Sequence, residues 1–143
     1  MTMPANIFQL LQDWLGGAIG ADYGLTELQA QAGQASFVSR PPAVHFNPLG
    51  TVQGGYTATL FDAALGLAVY SAATADAVYV TASLEVSYLR PLTAQASPVR
   101  TAARVLRREG RQVFAEAWLR DANGQLCATA SAVFTCPRGA VDS

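Results

Sequence analysis

Hydrophobic and polar positions change rhythm along this chain, dividing it into a helical first half and a stranded second half. Ile7, Leu10, Leu11, Trp14 and Leu15 recur at helical spacing, which predicts a short amphipathic helix from Pro4 to Leu15, stopped by Gly16-Gly17. A polar stretch rich in Gln and Ala follows and reads as a linker. Ala35 to Val44 carries Phe37, Val38 and Val44 but also Pro41-Pro42, so it is expected as a weak edge strand.

From Gly54 to Ala75 the one charged side chain is Asp62, and Tyr56, Leu60, Phe61, Ala64, Leu65, Leu67, Ala68 and Val69 occupy nearly all sides of the helical wheel. Such a helix is buried within its fold. The period then drops to two. Val78, Val80, Ala82, Leu84, Val86 and Tyr88 alternate with Tyr79, Thr81, Ser83, Glu85 and Ser87 until Arg90-Pro91 ends a long strand. Three more strands are expected over Val99 to Arg108, Gln112 to Arg120 and Gln125 to Thr135. Glu109-Gly110-Arg111 and Asp121 to Gly124 supply the hairpin turns between them. A buried helix followed by an antiparallel meander gives an α+β domain in which one sheet wraps a central helix.

At 143 residues, without internal repeat or linker between folding units, the chain is expected to form one domain. Residues 1–33 would be helix and linker, and 34–136 the core. Hydrophobic residues make up 51% and charged residues 13%, so part of the apolar surface is expected to be covered by another subunit. The net charge of -1, with every basic residue an arginine, argues against a general nucleic-acid binder. Cys127 and Cys136 lack the close spacing of a zinc or redox pair, and His45 is the sole histidine, so no metal site is expected. The two cysteines read as buried thiols in a reducing cytoplasm. Neither a signal peptide nor a membrane span is expected.

The chemistry concentrates between His45 and Asp62. Gly54-Gly55 directly before the buried helix lets a ligand approach the backbone closely. The unpaired amides of the first turn, with the positive end of the helix dipole behind them, suit a developing oxyanion. Asp62 lies about two turns further on by the usual rise, too far in to be a cap, and has no local cation. Taken alone, Asp62 reads equally as a structural carboxylate, and Gly54-Gly55 as a tight turn or a close packing point.

Asn47-Pro-Leu-Gly-Thr-Val-Gln-Gly-Gly55, then Leu60-Phe61-Asp62, then Ser87-Tyr88-Leu89-Arg90-Pro91 resembles the PaaI-like hotdog thioesterases, with the resemblance running from about Ala35 to Thr135. It combines an Asn-x-x-Gly turn, a Gly-Gly helix start, an acidic residue at fixed distance and a Tyr-x-x-Pro strand end in the family's order. The resemblance implies a hotdog fold and hydrolysis of an acyl-CoA, with an aromatic or a short- to medium-chain acyl group, without metal or cofactor. By the same resemblance, Asp62 is nucleophile or general base, the Gly54 amide polarises the thioester carbonyl, and Asn47 orients water or carbonyl. Thr81 falls where related enzymes place a hydroxyl near the carboxylate. Asn47 and Gly54 of one subunit would face Asp62 and Thr81 of another, in a dimer or a homotetramer built as a dimer of dimers.

Many relatives carry His immediately before the glycine pair, where this chain has Gln53. An amide orients but does not titrate, so any acid-base part of that His is missing. His45, eight residues earlier, reads as a surface or turn-packing histidine. Gly55 would contact substrate, and Arg90, Arg107, Arg108 and Arg111 are candidates for the CoA phosphates because a guanidinium offers paired donors; a solvated face explains the last three equally well. Two other functions remain open. A hotdog hydratase or dehydratase would want a catalytic histidine at a different place, and a non-catalytic acyl-CoA-sensing module would use the same pocket without turnover.

Overall fold

The computed structural model describes residues 6–74 and 76–137. Pro4 and Ala75, the expected start of the first helix and end of the long one, lie outside the described residues. The elements run α1 (Ile7–Gly16), α2 (Ala18–Tyr23), β1 (Leu25–Gln31), β2 (Gln34–Ser39), a 3-10 turn (Ala43–His45), α3 (Gly54–Ala72), β3 (Val80–Tyr88), β4 (Val99–Glu109), β5 (Gln112–Arg120) and β6 (Leu126–Thr135). The six strands form one antiparallel sheet in the order β1-β2-β4-β5-β6-β3. This sheet curls around α3, the architecture of a hotdog fold.

Alternation along the strands fixes which side faces the helix. Val113, Ala115, Ala117 and Leu119 of β5 are buried, as are Ala128, Ala130, Ala132 and Phe134 of β6. Against them α3 buries Tyr56, Leu60, Phe61, Ala64, Leu65, Leu67, Ala68 and Val69. Burying each large apolar side chain contributes about 1.5–3 kcal/mol, so the helix without a polar face is stable only inside the sheet. Tyr56, Phe61, Leu65 and Tyr79 are ordinary core.

Three expectations need correction. Residues 25–31 are a strand of the sheet, not linker, and α2 precedes them. β2 is not an edge, because it pairs with both β1 and β4, and it stops at Ser39 before the two prolines. The edges are β1 and β3.

Two contacts hold the ends of α3. At its C-terminal end the Tyr70 hydroxyl donates to the Tyr79 carbonyl and accepts from the Tyr79 amide, both at 2.7 Å. That clamp fixes the entry into β3, two residues before Thr81. At its N-terminal end the Tyr88 hydroxyl donates to the Gly54 carbonyl across 2.6 Å.

Candidate active site

The turn before α3 is built by Asn47. Its backbone amide donates to the Thr51 carbonyl, and its side-chain oxygen accepts from the amides of Leu49 and Thr51 at 3.0 and 3.2 Å. Its side-chain nitrogen donates to the Thr51 hydroxyl at 3.0 Å. Gly50 closes the turn at φ +82°, which explains the Asn-x-x-Gly pattern. The Val52 amide donates to the Leu92 carbonyl at 2.8 Å, tying this turn to the segment after β3.

Gln53 is the N-cap of α3, but its side chain caps no helix amide. Its side-chain nitrogen instead lies 3.4 Å from Nδ1 of His45. The other ring nitrogen of His45 donates to the Asp22 carbonyl at 3.0 Å, leaving Nδ1 to accept from Gln53. The His45 ring packs against both Tyr23 and Tyr56, with centroids 4.7 and 4.8 Å away, and the two tyrosine rings stack on each other at 5.3 Å. The Tyr56 hydroxyl donates to the Tyr23 carbonyl at 2.6 Å, and burial pushes this phenol above its ordinary value. His45 is thus a packing histidine that links the turn to α2 and holds the Gln53 side chain.

Gly54 and Gly55 are exposed at the start of α3. A Cβ on Gly54 would meet the Tyr88 hydroxyl at 3.1 Å, so the phenol lies against the helix start. Tyr88 was legible as part of the Tyr-x-x-Pro pattern, but its hold on Gly54 was not. Arg90 lines a cleft of about 250 Å³ with Thr51, Val52, Tyr88 and Leu92, beside the same helix end.

Asp62 projects from the middle of α3 and is exposed in the single chain rather than buried. The Thr81 hydroxyl donates to its Oδ1 at 2.7 Å. A register shift between Thr81 and Ser83 interrupts the β3–β6 ladder there, the kind of irregularity that re-aims a side chain. Asp62 also borders a small apolar cavity under α1 and α2. Eight residues of helix separate it from Gly54, about 12 Å along the axis, so one chain does not present both to the same atom.

Arg107, Arg108 and Arg111 lie at the β4–β5 turn, with Arg108 lining a pocket beside Ala72 and Ala73 at the far end of α3 from Gly54. Arg107 pairs with Glu109 at 3.1 Å and stacks over Phe114 at 4.1 Å. Arg108 donates to the Gly110 carbonyl and Arg111 to the Cys136 carbonyl. The structure therefore separates these three from Arg90. Among the described residues no group of three or more His, Cys, Asp or Glu is placed to hold a metal ion.

The fold is shared widely. A conserved protein from Pseudomonas aeruginosa superposes with a TM-score of 0.74 at 29% identity, covering 83% of this chain and 93% of that one. The TT0310 protein from Thermus thermophilus matches at 0.74 and 26%, covering 83% and 97%. A hypothetical thioesterase protein from Streptococcus pneumoniae, solved with coenzyme A, has the same fold at 0.77 and 18%, covering 93% and 99%. No curated protein matches the sequence. The thioesterase superfamily model spans residues 49–128, more than half of the chain, with all of α3 and the strand end at Tyr88 inside it and Asn47 just outside, and the chain belongs to that superfamily.

Proposed function

We propose that this protein hydrolyses acyl-CoA thioesters at a site shared by two copies of the chain. The observation that carries this reading is the Thr81–Asp62 hydrogen bond: an exposed carboxylate on an otherwise uncharged helix, oriented by a hydroxyl from a re-aimed strand residue. A merely structural aspartate in this helix would be covered within its own chain. Asp62 faces outward, as a group does that acts on something arriving from outside.

The second half of the site comes from the partner. β3 is a sheet edge with its outer ladder groups unpaired, and Val80 and Tyr88 on it are 47% and 55% exposed. Pairing this edge with its own copy satisfies those groups and sets two α3 helices side by side in opposite directions. The Gly54 amide of one copy then faces Asp62 of the other. The amides at the start of α3 accept the developing oxyanion, and the Asp62 carboxylate either attacks the thioester carbonyl or takes a proton from the attacking water. Gln53, held by His45, orients without transferring a proton, while Asn47 keeps the turn in shape. Coenzyme A in the pneumococcal relative supports a CoA ester as substrate, with Arg90 the guanidinium best placed for its phosphates.

The test is thiol release from a panel of acyl-CoAs by wild type and Asp62→Asn. Wild type is expected to cleave at least one member, and the variant to lose activity by about a thousandfold or more while folding and associating normally. Binding without release by wild type would leave the acyl-CoA-sensing reading in its place.

A further inference from the structure

The cavity beside Asp62 belongs to no catalytic contact described so far. It is lined by Trp14, Leu15 and Ile19 from the N-terminal helices, Tyr23 and Leu25, and Thr59, Leu60, Asp62 and Ala63 of α3. Leu15 and Leu60 are almost wholly buried and belong to the core, whereas Trp14 is 57% exposed. The Thr59 hydroxyl already donates to the Gly55 carbonyl at 3.0 Å, so it is committed to the helix backbone. Asp62 is therefore the one charged group in a wall that is mostly apolar.

Space bounded mostly by carbon, with a single carboxylate at its wall, holds water poorly and takes hydrocarbon more readily. Its volume is about 50 Å³. At roughly 10–15 Å³ for each water-sized group, that space admits about three or four carbon atoms. A phenyl ring needs more. The carboxylate at the wall identifies the occupant, because a thioester carbonyl next to Asp62 leaves its acyl chain within reach of this opening.

Resting on the hydrolase reading above, we propose that the space between α1–α2 and α3 is the acyl pocket, that it selects short aliphatic chains of about four carbons, and that Ile19 and Ala63 set the length accepted. The N-terminal helices, outside the stretch matched by the family model, thereby become the specificity element of the enzyme.

Two opposite substitutions test this on the full-length protein. Ile19→Ala enlarges the cavity and Ala63→Val shortens it, so the two must move chain-length preference in opposite directions, which general destabilisation does not do. With acetyl-, butyryl-, hexanoyl-, octanoyl- and phenylacetyl-CoA, wild type is expected to peak in kcat/KM at butyryl. Ile19→Ala should raise the hexanoyl-to-butyryl ratio by on the order of tenfold, at about fourfold for each added methylene. Ala63→Val should move the peak to acetyl. Calorimetric titration with S-butyl- and S-hexyl-CoA, thioethers that cannot be hydrolysed, reads the same cavity without turnover. Shifted affinity ratios without thiol release would keep the pocket and remove the hydrolase reading. Ratios unchanged in both variants, or a wild-type preference for octanoyl or phenylacetyl chains, would overturn the pocket assignment.

Discussion

The Thr81 hydroxyl reaches Oδ1 of Asp62 across 2.7 Å from a residue nineteen positions away in the chain. The Tyr70–Tyr79 clamp makes this contact possible by fixing where β3 begins, and the irregular register after Thr81 sets its direction. Removing the hydroxyl leaves the carboxylate in place but free to rotate. Thr81→Ala should therefore lower kcat by roughly ten- to a hundredfold, the value of a hydrogen bond to a charged group, with a small change in KM. Thr81→Ser keeps the donor and should retain most of the activity. Equal losses in the two variants would mean that the methyl group, not the hydroxyl, matters.

Gly54 stands against the Tyr88 phenol, and a Cβ there would require the ring to give by a few tenths of an ångström. Tyr88 is more than half exposed and can give way. Gly54→Ala is accordingly expected to change stability by less than about 1 kcal/mol. It should nevertheless depress thioester hydrolysis strongly, since in the proposed mechanism the added methyl would crowd the amide that meets the carbonyl. Thermal melts and steady-state kinetics on the same preparation separate the two effects.

The arginines divide by position. Arg90→Ala should raise KM for the CoA ester by roughly tenfold and leave kcat near wild type, the signature of lost ground-state binding. Arg107→Ala, at a side chain already paired with Glu109 and stacked on Phe114, should alter neither. The reverse pattern would place the phosphates at the β4–β5 turn of one subunit rather than beside α3.

Cys127 and Cys136 are buried, 2% and 1% exposed. Burial pushes the Cys127 thiol up, with Asp121 nearby adding to the shift. Because alkylation needs the thiolate, a raised value means less reactive sulfur at any given pH than in a free cysteine. Iodoacetamide at about pH 8, close to the ordinary thiol value, should label Cys127 only after unfolding, as mass spectrometry of native and denatured samples will show. Labelling of the native protein as fast as an open peptide would contradict its burial.

Long apolar runs and good turn chemistry made the central helix and the last three strands readable. Asp121 caps its own hairpin through the amides of Asn123 and Gln125, and Gly110 and Gly124 take positive φ where the turns need it. β1 hid for an identifiable reason. Its inward residues Leu25, Leu28 and Ala30 are spaced three and then two apart, because an irregularity between Thr26 and Gln29, with Glu27 at φ +55°, inserts an extra residue. The hairpin after it uses Ala32-Gly33, with positive φ at both positions but without the Asn or Asp that would signal it. Pro41-Pro42 misled about β2 because the strand ends before reaching them. In the candidate site, the resemblance singled out Asp62, Thr81 and Gly54, of which the structure joins Thr81 to Asp62. The exposure of Asp62, the inward turn of the Asn47 side chain and the cavity under α1–α2 depend on tertiary packing that no local pattern records.

The carbonyls of Asp22 and Tyr23 accept hydrogen bonds from His45 and Tyr56, which strap α2 to both the turn before α3 and the helix itself. Opening α2 breaks both bonds at once, so amide exchange in the segment around Gln53 should follow the opening of the first two helices instead of local fraying. The N-terminal helices and the glycine turn then constitute one cooperative unit, so that opening the two helices would unmake the proposed oxyanion site with every residue in it unchanged.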